Sequence, residues 1–192
     1  MDLKNKNIGF VMTGSFCTFS KTIEVIKELI KSNSNVIPIM SYNSYNLDTK
    51  FGKAKDYISK IEEITKNKII SQIQDAEPIG PKKMTDIMCV VPASGNTIAK
   101  LANGITDTPA LMAIKSHLRN EKPVIIAIST NDALAASAEN IGKLLNRKHY
   151  YFVPFRQDNP ITKPRSLVFD SHYVIKTIQY ALDGEQVQPI LL

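Results

Sequence analysis

Apolar runs rich in β-branched residues alternate along the chain with stretches in which apolar residues recur at helical spacing. The runs predict five strands, at residues 8–12, 36–40, 86–91, 123–129 and 150–153. The stretches between and after them predict helices at residues 20–31, 56–70, 97–103, 109–120, 132–146 and 171–182. Such alternation is typical of a doubly wound parallel sheet that helices cover on both faces. We therefore expect a three-layer α/β/α fold.

One domain accounts for the whole pattern, because neither an internal repeat nor a low-complexity linker interrupts it. The expected parts are a core at residues 7–153, a proline-rich loop at 154–168, and a C-terminal helix and tail at 169–192. Pro38 cannot donate a hydrogen bond to a neighbouring strand, so the second strand suits an edge position. The tail at 188–192 either adds a short strand or packs on a neighbour.

The composition is that of a globular domain with a sizeable core, since 43% of the 192 residues are hydrophobic. No run approaches the ~18 apolar residues that a bilayer-spanning helix needs, and the first residues lack a signal-peptide cleavage site. The two cysteines, Cys17 and Cys89, have no spacing typical of a disulfide framework or zinc site. We expect a cytoplasmic protein in which both cysteines are buried.

The formal net charge of +6 raises the question of nucleic-acid binding. The lysines, however, alternate with acidic residues on predicted helix faces, as Lys21, Glu24, Lys27 and Glu28 do, which is typical of a solvated surface. Aromatic residues and arginines do not interleave in a stripe. These patterns argue against a nucleic-acid partner, while the positive charge helps to attract small anionic ligands.

Ligands of open parallel sheets bind beyond the carboxyl ends of the strands. The loops at these ends lie at residues 13–16, 41–44, 92–97, 130–131 and 154–158. All five carry hydroxyl or amide side chains, and none carries a carboxylate pair or a histidine cluster. This content argues against a metal site and against two-carboxylate chemistry.

The first loop, Thr13-Gly14-Ser15-Phe16, suits a phosphate group. Gly14 lets backbone N–H groups approach, Ser15 supplies a hydroxyl, and a helix start follows. The loop lacks the glycine spacing of dinucleotide sites and the lysine of a P-loop, and Ser41 stands where a dinucleotide site wants an acidic residue. A mononucleotide phosphate between this loop and Ser41 fits better. The alternative is an ordinary strand-to-helix turn with Ser20 as its N-cap.

The loop after the third strand reads Pro92-Ala93-Ser94-Gly95-Asn96-Thr97. Small residues permit close approach of a ligand, Asn96 and Thr97 offer amide and hydroxyl contacts, and Gly104 then suits a helix end. This run resembles the flavin-binding signature of the homo-oligomeric flavin-containing cysteine decarboxylases. That family includes phosphopantothenoylcysteine decarboxylases, lantibiotic peptidyl-cysteine decarboxylases and flavin prenyltransferases. Its signature reads Pro-Ala-Ser-Ala-Asn-Thr, so Gly95 is the chief departure.

The resemblance implies a Rossmann-like, flavodoxin-like fold and a bound flavin mononucleotide (FMN). It also implies a homo-oligomer, a trimer or a dodecamer, since members of the family build their FMN sites at trimer interfaces. The residues expected to bind FMN lie in or beside four of the loops: Thr13, Gly14, Ser15, Phe16, Ser41, Pro92, Ala93, Ser94, Asn96, Thr97, Ser129, Thr130 and Asn131.

Further runs, at residues 76–83, 103–120, 127–134, 151–158 and 188–191, resemble one branch of that family. Its members work beside a partner subunit of nucleotide-binding type, and the pair oxidises the dihydro precursor of a cyclic dicarboxylate in endospore formation. The resemblance therefore implies an oxidoreductase. Hydride passes either to flavin N5 or to a nicotinamide cofactor on the partner, and the sequence leaves both routes open.

Decarboxylases of the family carry an essential histidine where this chain has Pro78. Their reaction should therefore not transfer, although a flavoprotein decarboxylase or a flavin prenyltransferase stays an alternative. A second alternative is a non-catalytic binding subunit, because no acid–base residue is identifiable. Asn96 and Arg156 are the candidates for catalysis.

A planar dicarboxylate needs planar bidentate donors. Arg156 and Arg165 in the proline-rich loop could supply them, and Lys82 and Lys83 are a second basic candidate. Ordinary surface charge is the alternative for each.

Other aromatic and titratable residues have less specific expectations. Tyr42 and Tyr45 could stack on an aromatic ring or merely cover the sheet edge. The three histidines are expected in surface or core roles: His117, His149 and His172.

Overall fold

A computed structural model describes residues 2–192 and contains all five predicted strands, followed by two more. The strands are β1 (Asn7–Met12), β2 (Asn35–Met40), β3 (Ile87–Ala93), β4 (Val124–Thr130), β5 (Tyr150–Phe152), β6 (Phe155–Asn159) and β7 (Lys163–Phe169). The α-helices in this range are α1 (Phe19–Lys31), α2 (Tyr42–Asn46), α3 (Ala54–Thr65), α4 (Ile73–Ala76), α5 (Gly95–Ala102), α6 (Pro109–Leu118), α7 (Ala138–Leu145) and α8 (Val174–Leu182).

The first five strands pair in parallel, in the order β2-β1-β3-β4-β5. The chain lays β2 on one side of β1 and then crosses to place β3 on the other side. The strand order therefore reverses between β1 and β3, and loops at such a switch point leave a crevice beyond the carboxyl ends of the strands. The doubly wound α/β fold is confirmed, with its crevice expected beyond Met12 and Ala93.

Apolar side chains fill both faces of the sheet. On one face, α1, α3 and α8 cover a core that includes Phe10 and Phe19. On the other face, α4, α5, α6 and α7 cover a core that includes Val90 and Ile126. Burial of each such side chain is worth ~1.5–3 kcal/mol. β3 is buried along its whole length, as its unbroken apolar run predicts.

Two strands have their outer sides closed by backbone or amide groups. β2 lies at the sheet edge, as Pro38 predicts, and its Met40 N–H donates to the carbonyl of Ile70 at 3.0 Å. The N–H of Ile70 in turn donates to the carbonyl of Pro38 at 2.9 Å. On β5, the Gln186 side chain accepts from the N–H of Phe152 and donates to its carbonyl, both at 2.7 Å.

Residues 154–168, predicted to form a proline-rich loop, instead contain the antiparallel hairpin β6–β7. β7 also pairs with the end of β4, where Leu167 lies opposite Thr130. The prediction was wrong because most side chains of the hairpin are exposed, so the segment lacks the apolar alternation that indicates a strand. The tail adds a short pairing of its own, since the N–H of Leu192 donates to the carbonyl of Phe155 at 3.0 Å.

Four helices are shorter than predicted: α3, α6, α7 and α8. α3 ends before Lys66, which adopts a left-handed conformation with a φ of 57°. α7 begins late because the carbonyl of Asp132 accepts the N–H groups of Ala135 and Ser137 in the turns before it. Across residues 2–192, every helix is too short or too polar to cross a membrane.

Candidate functional site

Two adjoining clefts open at the carboxyl ends of the strands. The larger cleft, of about 790 Å³, lies where the loops after β1, β3 and β4 meet the β6–β7 hairpin. The smaller cleft, of about 340 Å³, lies between the loops after β1 and β2 and the first turns of α5 and α6. Both volumes fall in the ~300–1,000 Å³ range of ligand pockets. Gly14, Ser94 and Asn96 line both clefts, so the two form one bipartite site.

Most of the residues that the sequence predicts for binding come together here. Besides the three shared residues, the larger cleft is lined by Ser15, Phe16, Ser129, Thr130 and Asn131. The smaller cleft is lined by Ser41 and Thr97. Three predicted residues line neither cleft: Thr13, Pro92 and Ala93.

Thr13 connects the loops instead of facing the clefts. Its side chain is fully buried, and its hydroxyl donates to the carbonyl of Pro92 at 2.8 Å. The same hydroxyl accepts from the backbone N–H of Ser94 at 2.9 Å. The hydroxyl therefore donates one hydrogen bond and accepts another, and both hold the loop after β3 against the loop after β1.

Helix α5 begins between the two clefts. Ser94 is its N-cap: the hydroxyl accepts from the Thr97 N–H at 3.4 Å and lies 3.1 Å from the Thr97 hydroxyl. The first N–H groups of a helix lack partners inside it, and the helix dipole adds partial positive charge at that end. Lys100 and Asp107 both line the smaller cleft and form an ion pair of 2.6 Å, so their charges offset each other and the helix start is what attracts an anion. The smaller cleft therefore suits an anionic group.

Serine hydroxyls hold the remaining loops in place. Ser41 is the N-cap of α2, accepting from the Ser44 N–H at 3.3 Å, while it still lines the smaller cleft. Ser15 and Ser129 share a hydrogen bond of 2.8 Å, which joins the loop after β1 to the end of β4. These hydrogen bonds fix the backbone around the site.

The larger cleft is also lined by charged residues that the sequence analysis did not assign to the site. Lys21, Lys50 and Asp132 are among them, and the hairpin contributes Asp158 and Lys163, whose ion pair measures 2.6 Å. The hydrogen bond from Lys163 to the Asp158 carboxylate raises the pKa of the lysine. Asp132 could have been found, because it directly follows the predicted loop at 130–131. Asp158 ends the predicted loop at 154–158, whereas Lys163 could not have been found because the hairpin that brings it to the cleft was missed.

Arg156, a candidate for catalysis, lies elsewhere. It lines a neighbouring groove of about 450 Å³, which shares Lys21 and Val168 with the larger cleft, and it forms an ion pair of 3.1 Å with Asp170. Arg165, Lys82 and Lys83 line neither part of the bipartite site. The structure therefore does not bring the predicted basic candidates to the clefts.

The cysteines, tyrosines and histidine considered in the sequence analysis differ in their exposure to solvent. Cys17 is exposed and lines the larger cleft, so the expectation of a buried thiol was wrong. Cys89 lies in the core, where burial raises the pKa of its thiol. His117 is fully buried, and burial lowers its pKa to about 4. Tyr42 lines the smaller cleft, whereas Tyr45 packs against the core.

A hydroxyl- and amide-lined site at the switch point, with an anion-attracting helix start beside it, is the arrangement expected of a nucleotide-cofactor protein with a doubly wound fold. The chain belongs to the Flavoprotein family, whose model matches residues 1–177.

Within this family, the chain is similar to proteins of more specific description. The chain is 43% identical to the dipicolinate synthase B subunit of Bacillus subtilis (strain 168), over 99% of this chain and 95% of that protein. The crystal structure of the dipicolinate synthase B subunit from Bacillus halodurans superposes with a TM-score of 0.92 at 43% identity, covering 100% of this chain and 98% of that one. The FMN-dependent cysteine decarboxylase SpaF shares the fold, with a TM-score of 0.68 at 20% identity over 95% and 98% of the two chains.

Proposed function

We propose that this chain binds FMN and works with a dipicolinate synthase A subunit to oxidise dihydrodipicolinate to dipicolinic acid in endospore formation. The observation that carries the proposal is the 43% identity to the dipicolinate synthase B subunit of Bacillus subtilis, which extends over 99% of the chain. Membership of the Flavoprotein family supports the flavin. FMN fits better than a dinucleotide, because Ser41 stands where an acidic ribose ligand would be needed.

The bipartite site fits the two ends of FMN. The phosphate would lie in the smaller cleft, near the backbone of Gly14, the hydroxyl of Thr97 and the ammonium of Lys100. The ring would lie in the larger cleft, against Phe16 and the polar side chain of Asn96. The bound flavin would supply an acceptor for a hydride at N5. The protein groups would orient the ring and exclude water from it.

A dicarboxylate substrate would meet basic side chains at the larger cleft. Lys163 is engaged by Asp158, but Lys21 and Lys50 form no ion pair with any residue between 2 and 192. Free ammonium groups bind carboxylates as point charges, with the strength of charge-assisted hydrogen bonds. Lys21 and Lys50 would therefore hold the substrate carboxylates in place of the arginines expected from the sequence.

The residue at position 78 argues against decarboxylation, because decarboxylases of the family carry a histidine there and this chain carries a proline. Pro78 lies in the 3-10 turn Glu77–Ile79, which Ser116 of α6 holds by donating to the Glu77 carbonyl and accepting from the Gly80 N–H. Neither the proline nor this turn lines the bipartite site. No proton donor therefore stands at that position.

Purified protein, titrated with FMN and mixed with dihydrodipicolinate with and without the A subunit, tests the proposal. We expect saturable FMN binding, bleaching of the flavin absorbance by the substrate, and dipicolinate formation that needs the A subunit. Asn96→Ala should slow the bleaching. Protein that takes up no FMN contradicts the cofactor. Equal dipicolinate formation by the FMN-free and FMN-loaded complexes would make the chain a scaffold. Light scattering on the same sample measures the expected trimer or dodecamer.

A further inference from the structure

Gly95 packs against a polar cluster of three residues, Thr130, Asp132 and Ser137. A Cβ atom at position 95 would lie 2.7 Å from the Thr130 Oγ1, 2.8 Å from the Ser137 Oγ and 2.9 Å from the Asp132 Oδ1. Real Cβ atoms essentially never approach other atoms that closely. The backbone of Gly95 is helical, so the glycine serves this close approach and not an unusual turn.

The cluster holds the Asp132 carboxylate in one orientation. Its Oδ1 accepts a hydrogen bond from the Thr130 hydroxyl and another, of 2.9 Å, from the Ser137 hydroxyl. The surrounding turn does not depend on the carboxylate, because the backbone carbonyl of Asp132 accepts the N–H groups of Ala135 and Ser137. Two donors on one oxygen fix the direction in which the carboxylate points.

Asp132 also differs from the other carboxylate of the larger cleft. Asp158 is neutralised by Lys163 at 2.6 Å, whereas Asp132 forms no ion pair within residues 2–192. The remaining charged groups of this cleft are Lys21 and Lys50. The neighbouring elements add Arg165 on β7 and Glu139 on α7, which pairs with Lys143 at 2.7 Å. An oriented carboxylate without a paired cation is equipped to accept a proton.

We propose that Asp132 is the proton acceptor of this site, an inference that rests on the proposed dehydrogenation. In that dehydrogenation one C–H bond of the dihydropyridine ring would break with its electron pair leaving as hydride, for which a bound flavin would supply the two-electron acceptor. A second C–H bond breaks and its proton passes to the Asp132 carboxylate. The electron pair of that bond forms the new double bond of the aromatic ring. Thr130 and Ser137 position the carboxylate.

Asp132→Asn tests the assignment, because the amide oxygen can still accept from both hydroxyls while the proton acceptor is lost. We expect FMN affinity within about 2-fold of wild type and flavin bleaching slowed by about 100-fold or more. The pH dependence of bleaching should be lost with it. Glu139→Gln, which removes one carboxylate from α7 outside the cleft, is the matched control and should leave both unchanged. Bleaching by Asp132→Asn at the wild-type rate and with the wild-type pH profile overturns the assignment.

A binding measurement keeps the test independent of turnover. Dipicolinate is a dianion, so its binding beside an ionised carboxylate should draw a proton from solution. Calorimetric titrations in buffers of different ionisation enthalpy should detect that proton for wild type and not for Asp132→Asn. Equal proton uptake by both overturns the role of Asp132. If wild type shows the uptake but dihydrodipicolinate never bleaches its flavin, the proposed oxidation fails while Asp132 remains next to the ligand.

If Asp132→Asn fails to fold, Ser137→Ala replaces it, since this change removes one donor and leaves the acid. Flavin bleaching should then slow while FMN affinity stays within about 2-fold of wild type, because the carboxylate has lost one of the two donors that orient it. Bleaching at the wild-type rate contradicts the assignment.

Discussion

The hydroxyl of Thr13 accepts a hydrogen bond from the backbone N–H of Ser94 at 2.9 Å, across the switch point of the sheet. The same hydroxyl donates to the carbonyl of Pro92, so one buried side chain fixes the loop that precedes α5. A residue that lines neither cleft thus sets the spacing between the two loops that would hold the cofactor.

Thr13→Val should lower both stability and FMN affinity. Valine has nearly the same shape, but it leaves the Pro92 carbonyl and the Ser94 N–H without this partner, at a cost of about 2–4 kcal/mol in the free energy of unfolding. Urea unfolding and FMN titration measure the two effects. Thr13→Ser keeps the hydroxyl and is the control; if it weakens FMN binding as much as valine does, the hydrogen bonds are not the cause.

Gly95→Ala should destabilise the protein although alanine is the better helix former. The added methyl group would overlap the Thr130–Asp132–Ser137 cluster, and overpacking of this kind costs about 1–3 kcal/mol. Gly142→Ala in α7 is the matched control, because nothing lies within 4 Å of its Cβ position and the change should stabilise by about 0.5–1 kcal/mol. Combining Gly95→Ala with Ser137→Ala should recover part of the loss, and strict additivity would contradict the overlap.

Removing the two cationic side chains of the larger cleft should weaken dicarboxylate binding. Lys21→Gln and Lys50→Gln are each expected to raise the Kd of dipicolinate about 10-fold, with a smaller dependence on salt than in wild type. Fluorescence or calorimetric titration at two ionic strengths measures this. Lys82→Gln, which removes a charge far from the lining of the site, is the control and should change little.

Stability should fall as the pH drops from 6.5 towards 4, in part because of His117. This side chain is fully buried, its Nδ1 lies 2.7 Å from the Thr85 hydroxyl, and its Nε2 lies 3.0 Å from the Pro123 carbonyl. Nε2–H therefore donates to the carbonyl, and Nδ1 accepts from the hydroxyl. Burial lowers the pKa of His117 from 6.5 to about 4, so the unfolded chain binds the proton first.

The contribution of neutral His117 to the free energy of unfolding is complete above pH 6.5 and is lost progressively as the pH falls below that value. Each pKa unit corresponds to about 1.4 kcal/mol, which makes the loss about 3 kcal/mol by pH 4. Unfolding free energies of wild type and His117→Gln between pH 7 and 4.5 isolate this residue from the carboxylates, which titrate in both. The variant should be less stable at pH 7 but have the shallower slope; parallel slopes would mean that His117 is not the titrating group.

The sequence predicts the parallel sheet and most of the site because both depend on local patterns. Buried strands such as β3 must be continuously apolar, and loops that approach a phosphate need small and hydroxyl residues, so the loop at 92–97 is recognisable by itself. Thr13 is a hydroxyl residue of the first loop, as Ser15 is, so the sequence gives both the same expected role. Only the packing of the two loops shows that the Thr13 hydroxyl bonds to Pro92 and Ser94.

The hairpin and the charged lining escaped prediction for a related reason. β6 and β7 are held by backbone pairing with side chains mostly in solvent, and backbone pairing leaves no trace in the choice of side chains. Asp158 and Lys163 reach the larger cleft only through that hairpin. Gly95 was noted as a departure from the family signature, but its reason lies in the cluster around Asp132, more than 30 positions further along the chain.

The closed outer sides of the sheet limit how copies of this chain can associate. Ile70 covers β2, the Gln186 amide covers β5, and the tail occupies the backbone of Phe155 at the start of β6. Unpaired edge strands allow the sheets of separate molecules to pair edge to edge, which leads to aggregation. At these positions two copies could pair their sheets only by first breaking the hydrogen bonds within each chain.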